Sequence, residues 1–159
     1  MRLIETPQEM QDLMRECIQV TYRWVDTVNS TFGLHLPHYK VVFALKSGVA
    51  GKAKLGQNVI EFNPTLLREN PDAFLARTPG HEVVHFANWM VHPNSDAHGP
   101  EWKAMMRKLG LPDTRCHSYD TSNVPTRIGS RPNKRRNDMV QASDGVIRTF
   151  GIGKVLEFD

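Results

Sequence analysis

At 159 residues, 40% hydrophobic and 23% charged, with a formal charge of +3, the chain has the size and make-up of one compact soluble domain. No apolar run approaches the ~20 residues a membrane span needs, and Met1-Arg2-Leu3-Ile4-Glu5 lacks the charged-then-apolar plan of a signal peptide. Cys17 and Cys116, far apart and the only cysteines, exclude a disulfide framework and a paired-thiolate metal site, so a reducing cytoplasm and no membrane partner are expected.

Thr6-Pro7-Gln8-Glu9 predicts a helix start: threonine caps, proline suits the first helical position and Glu9 completes a capping box. Met10, Leu13, Met14, Cys17, Trp24, Val25 and Val28 then recur mostly at steps of three and four, which makes one apolar stripe, and Gly33 is the natural stop. Cys17 lies on that stripe and reads as packing. Lys40–Leu45 has strand composition and is broken by Ser47-Gly48. Ala50–Leu55 and Val59–Phe62 predict two more short strands around the turn residues Gly56-Gln57-Asn58. Asn63-Pro64 opens a short helix carrying Leu66 and Leu67. Asn70-Pro71-Asp72 opens another, with Asn70 as cap, expected to run to about Val91. Inside it Pro79 removes the bond to the Leu75 carbonyl, so either the helix kinks there or Thr78 caps a fresh one.

The same helix carries His81-Glu82-Val83-Val84-His85. Histidines four apart project from one face, one turn above the other, so their ring nitrogens can meet on one cation. An acid beside the first can take a proton from water at that cation. This H-E-x-x-H pattern predicts zinc at His81 and His85 with Glu82 as general base. A surface helix with two histidines is the plain alternative.

A catalytic zinc site takes three protein ligands and leaves one position to water. His92, His98, His117, Cys116 and several acids are candidates for the third. His92 sits about 10 Å further along the axis, too far to share the ion, and suits the helix C-terminus instead. His98 is better placed. Pro93-Asn94-Ser95-Asp96 turns the chain, and Gly99-Pro100-Glu101 begins a helix whose Trp102, Met105, Met106 and Leu109 must dock. A histidine at that entrance can swing back over the preceding helix.

His81-Glu82-x-x-His85 followed by His98-Gly99-Pro100-Glu101-Trp102-Lys103 resembles the SprT-like (Spartan-like) zinc metalloprotease family. Ala50-Gly51-Lys52-Ala53, Ile60-Glu61-Phe62-Asn63-Pro64-Thr65-Leu66-Leu67, Glu69-Asn70, Ala73-Phe74, Leu109-Gly110-Leu111-Pro112 and His117 extend the likeness, in order, over roughly residues 8 to 120. The resemblance implies one Zn²⁺ held by His81, His85 and His98, with Glu82 as the catalytic carboxylate. It also implies an α+β fold with a minimal zincin-like core: a long N-terminal helix, a small three-stranded sheet, the motif helix and a docked helix after it. Protein substrates, including proteins attached to DNA, follow from the same likeness.

Oxyanion or outer-shell support is expected from His117, Tyr119 or Arg115, and an acceptor for a ligand imidazole from Asp96; surface or capping roles are the alternative for the first three. Substrate is expected along an exposed strand edge, from Ala50–Leu55 or Val59–Phe62.

Residues 1–126 are thus expected to form the metalloprotease domain and 127–159 a basic extension. The family's bacterial members carry a cysteine-built zinc ribbon there, whereas this chain has no cysteine after Cys116. Met139–Ser143, Val146–Phe150 and Lys154–Phe158 read instead as a small β meander. Arg127, Arg131, Lys134, Arg135 and Arg136, with no acid among them, suit contact with DNA phosphates or a solvated connection. The competing reading of the whole is a non-catalytic, zinc-stabilised DNA-binding or adaptor protein, and Glu82 separates the two, since a structural site needs no acid beside its first ligand.

Overall fold

A computed structural model describes residues 2–124 of the chain. The fold is α+β, with a long N-terminal helix and a small three-stranded sheet. Helix α1 spans Pro7–Phe32 and begins with the expected capping box: the Thr6 hydroxyl accepts from the Glu9 N–H at 3.1 Å, and the Glu9 carboxylate accepts from the Thr6 N–H at 2.9 Å. It ends at Gly33, whose φ of 66° is the left-handed conformation glycine adopts without a Cβ penalty. Leu13, Cys17, Thr21, Val25 and Val28 form its buried face. Thr21 is the polar member, and its hydroxyl is satisfied by donating to the Cys17 carbonyl at 2.7 Å.

Burial pushes the Cys17 thiol up to about 12, whereas Cys116 is exposed. A maleimide at pH 8 is therefore expected to label one thiol per native molecule and two after unfolding, counted by intact mass. Two fast labels in the native state would remove Cys17 from the core.

Strands β1 (Lys40–Val42), β2 (Gly51–Lys54) and β3 (Val59–Phe62) lie in the order β1-β3-β2, with β1 parallel and β2 antiparallel to β3. β2 is shorter than expected because Leu55–Gln57 coils into a 3-10 turn and Asn58 takes a φ of 57°. Val59–Phe62 is the central strand, so the expectation that it offers a free edge fails; the edges belong to β1 and β2. The Asn63 N–H donates to the Ala50 carbonyl at 2.9 Å. By antiparallel alternation, residues 50, 52 and 54 turn their backbone groups to β3, and Gly51 and Ala53 turn theirs to the open side.

Asn63 ends β3 and opens α2 (Pro64–Glu69): its side-chain oxygen accepts from Thr65 and Leu66 N–H, and its amide donates to the Ser47 and Val49 carbonyls. One residue thus caps a helix and pins the 47–49 turn. Helix α3 spans Pro71–Val91, unbroken through Pro79. Thr78 caps nothing, because its hydroxyl is bonded to Tyr119. Asn70 stands at the N-cap position but makes no side-chain cap; its amide donates to the Leu66 carbonyl and closes α2 instead. His92 is the C-cap. Helix α3 packs across α1 so closely that a Cβ on Gly80 would lie 3.2 Å from the Trp24 ring and 2.7 Å from a Leu111 methyl. Helix α4 (Pro100–Lys108) docks through buried Trp102, Met105 and Met106. Among the described residues no helix is long and apolar enough to cross a membrane. The expected strands at 139–158 and the basic residues Arg127, Arg131, Lys134, Arg135 and Arg136 lie outside the described residues.

Candidate metal centre

His81 and His85 are both buried, one turn apart on α3, and α4 brings His98 to them. Ring centroids are 5.0 Å apart for His81–His85, 5.3 Å for His81–His98 and 4.6 Å for His85–His98. One nitrogen from each lies within 4.8 Å of the other two, so the three can hold a metal ion. The floor beneath them is Trp102, fully buried, with its ring 4.8, 5.4 and 4.7 Å from His81, His85 and His98. His98 reaches the site because the indole four residues later seats α4 against the other two rings. His92 is exposed at the end of α3 and has no part in this group.

Burial holds all three imidazoles below their ordinary value, with His85 and Arg77 adding to it at His81; His85, His81 and Arg115 adding to it at His98; and Arg115 adding to it at His85, which falls to about 3. Neutral rings near pH 7 keep the lone pairs a cation needs. The His81 and His98 Nε2 atoms are 3.3 Å apart, which is long for a hydrogen bond between them. It is about the separation of two nitrogens each bonded at ~2.0–2.1 Å to one tetrahedral ion. Glu82 stands beside them, with Oε2 3.9 Å from His81 Nε2. Its other oxygen, Oε1, is buried with no hydrogen-bond partner. Such an orphan is costly unless a further group completes it. Burial lifts the carboxyl to about 8, against the opposing pull of the Arg77 and Lys52 charges and the Ala53 N–H. The donor set and the orphaned oxygen both fit a divalent ion.

A cleft of about 300 Å³ opens over His81 and Glu82. One wall is the 48–51 segment leading into β2, and the other is Arg115-Cys116-His117. Gly51 is obligatory for the fit, since a Cβ there would meet Glu82 Cγ and Oε2 at 2.9 Å. The second wall is a strap pinned at several points. Arg77 Nη2 donates to the Thr114 and Cys116 carbonyls at 2.7 and 2.8 Å. His117 bonds the Gly48 carbonyl through Nε2 at 2.6 Å and accepts the Tyr119 N–H on Nδ1 at 3.1 Å. The Tyr119 hydroxyl is bonded to Thr78 at 2.8 Å and to the Ala73 carbonyl at 3.2 Å. His117 and Tyr119 therefore sit where expected, beside the site, with their polar atoms committed to holding the strap. Arg115 is exposed and lines the cleft. Asp96 is exposed in the turn before His98, and its backbone carbonyl accepts from the Gly99 N–H.

Three participants went unread in the sequence. Arg77 is four residues before His81, hence on the histidine face, and helical spacing alone pointed to it. Gly51 and the Ala53 N–H approach Glu82 through sheet register, which leaves no mark in local sequence.

The chain matches the SprT-like family over residues 15–121, a span that includes all three histidines, Glu82 and the strap. Among curated proteins it is 36% identical over 124 residues to Protein SprT of Pseudomonas entomophila, covering 77% of this chain and 72% of that one. Protein SprT of Pseudomonas paraeruginosa is 39% identical over 113 residues, 69% of this chain and 66% of its own. Protein SprT of Pseudomonas aeruginosa is 43% identical over 90 residues, covering 55% of this chain and 54% of that one. No solved structure matches.

Proposed function

The chain belongs to the SprT-like family, and from that premise we propose that it is a zinc metallopeptidase with a zincin-like core. The observation that carries the reading is a buried carboxylate with one unpartnered oxygen, beside three convergent neutral imidazoles, at the floor of an open cleft. His81, His85 and His98 would hold Zn²⁺. When bound, the ion supplies Lewis acidity that brings hydroxide within reach near neutrality and offsets charge developing on a carbonyl oxygen. Glu82 takes the proton of the attacking water onto its carboxylate and returns it to the leaving nitrogen. The cations around it, Arg77 and Lys52, and the Ala53 N–H favour its ionised form and oppose the larger effect of burial. The free side of β2, with the backbone groups of Gly51 and the Ala53 carbonyl, is the natural rail for an extended polypeptide, the Ala53 N–H being bonded to Glu82. Trp102 and the strap exclude water from the back of the site.

In this reading residues 1–126 are the catalytic unit and 127–159 a basic extension. Arg127, Arg131, Lys134, Arg135 and Arg136 meet DNA phosphates, and proteins bound to DNA in the cytoplasm are the substrates. Incubation of the zinc-loaded chain with casein, with and without DNA, tests it. Fragments are expected, and DNA should bind with an affinity that falls steeply with salt. Intact casein under both conditions would leave the histidine cluster as a structural clip.

Gly51→Ala probes the same geometry more finely. Its methyl group displaces the Glu82 side chain without touching a ligand, so turnover is expected to fall about tenfold or more at unchanged zinc content. Unaltered kcat would show that the carboxylate needs no such close fit.

A further inference from the structure

The strap 114–119 is held by more bonds than covering a cleft requires. Arg77 grips the carbonyls on both sides of residue 115, His117 is bonded across to Gly48, and Tyr119 is bonded back to α3. His117 stacks on Tyr119 with centroids 4.6 Å apart, and Tyr119 on Phe74 at 5.8 Å, which ties the strap to the core. The Thr114, His117 and Tyr119 side chains are bonded into the scaffold. Arg115 sits between the two gripped carbonyls, exposed, lining the cleft, with no ion pair to any described residue. The acids flanking the strap are otherwise engaged: Asp113 pairs with Arg107 at 2.8 Å, and Asp120 accepts the Ser122 N–H at 3.0 Å. Of the residues lining the cleft, Arg77 and Arg115 are positive and Glu82 alone is acidic. The Arg115 charge is felt as far in as His85 and His98.

A rigid backbone presenting one uncompensated guanidinium is a preorganised carboxylate receptor. We propose that Arg115 determines specificity, selecting polypeptides that carry an Asp or Glu side chain close to the bond that is cut. This rests on the peptidase reading above. The cleft wall opposite Arg115 is Val49-Ala50-Gly51, a small and largely apolar surface that suits one amino-acid side chain rather than a run of phosphates. Guanidinium and carboxylate form two parallel bonds, and a basic side chain at the same place meets the positive charges of Arg115 and Arg77.

The test uses the full zinc-loaded chain carrying Glu82→Gln, so that binding is read without turnover. Short fluorescein-labelled peptides, identical except for Asp, Asn or Lys stepped through the central positions, are titrated by anisotropy. At one position the Asp peptide is expected to bind about tenfold tighter than its Lys counterpart, with Asn between. Adding Arg115→Glu should reverse that order, and adding Arg115→Gln should flatten it, both at full zinc content. An order unaffected by Arg115, or no order, overturns the inference. So does a single-stranded oligonucleotide that competes as well as the Asp peptide and loses its hold equally in Arg115→Glu. Failure of the parent reading looks different: the charge order holds in the binding series, while the chain with Glu82 intact cleaves none of the peptides.

Discussion

Replacing Glu82 with glutamine is expected to lower peptide hydrolysis about a thousandfold while zinc content stays at one ion per chain. General-base assistance contributes about 10²–10⁴ in rate, and the amide is nearly isosteric with the acid but cannot accept the proton. The position makes the comparison clean. Glu82 is buried, its neighbours are the Ala53 N–H and the Arg77 and Lys52 charges, and it is not among the three convergent nitrogens. Steady-state assays beside metal analysis on the same samples check it. Retained turnover would assign the proton transfer elsewhere. Loss of zinc together with turnover would make Glu82 a structural member of the site.

The metal-free protein is expected to be most stable near pH 6.5 and to lose stability steeply in acid. His81, His85 and His98 are held neutral by burial, His85 down to about 3, so below 6.5 the unfolded chain binds three protons that the fold refuses. Unfolding then takes up protons, and stability falls as pH falls. Glu82 acts in the opposite sense: its folded value of about 8 lies above the ordinary 4.5, so between those limits the fold keeps one proton that the unfolded chain releases. Three imidazoles against one carboxyl leave a net uptake of protons on unfolding in acid. From 6.5 to 8 only Glu82 contributes, and stability declines gently as pH rises. Urea melts of the stripped protein at pH 5, 6.5 and 8 decide it; equal midpoints at 5 and 6.5 would mean that the imidazoles are solvated. Zinc should suppress the acid loss until protons displace it from the ligands.

Much of this was legible in the chain itself because the signals are local. The capping box at Thr6–Glu9, the stop at Gly33, the Asn63 cap before Pro64 and the helix start at Pro71 all depend on residues within one turn of each other. The two motif histidines are likewise a matter of helical spacing. His98 needed more: only the docking of Trp102 brings it home, and the reading reached it through a likeness to known sequences as well as through the placement of Pro100. Long-range features were the ones missed. Strand order placed Val59–Phe62 in the centre, where the sequence offered it as an edge. The Asn70 amide chose the carbonyl behind it over the helix ahead. The strap's bonds to Gly48, Ala73 and Thr78 join residues some 40 to 70 positions apart, beyond the reach of any periodicity.

The cleft of about 300 Å³ between the 48–51 segment and the strap also bears on which targets the proposed peptidase can attack. An α-helix with its side chains is about 10–12 Å across, and a strand is much thinner. For the proposed peptidase, a well-folded neighbour offers nothing that can enter, whereas a frayed terminus or an unravelled loop slides in. Vulnerability is then a property of the target's own state of repair.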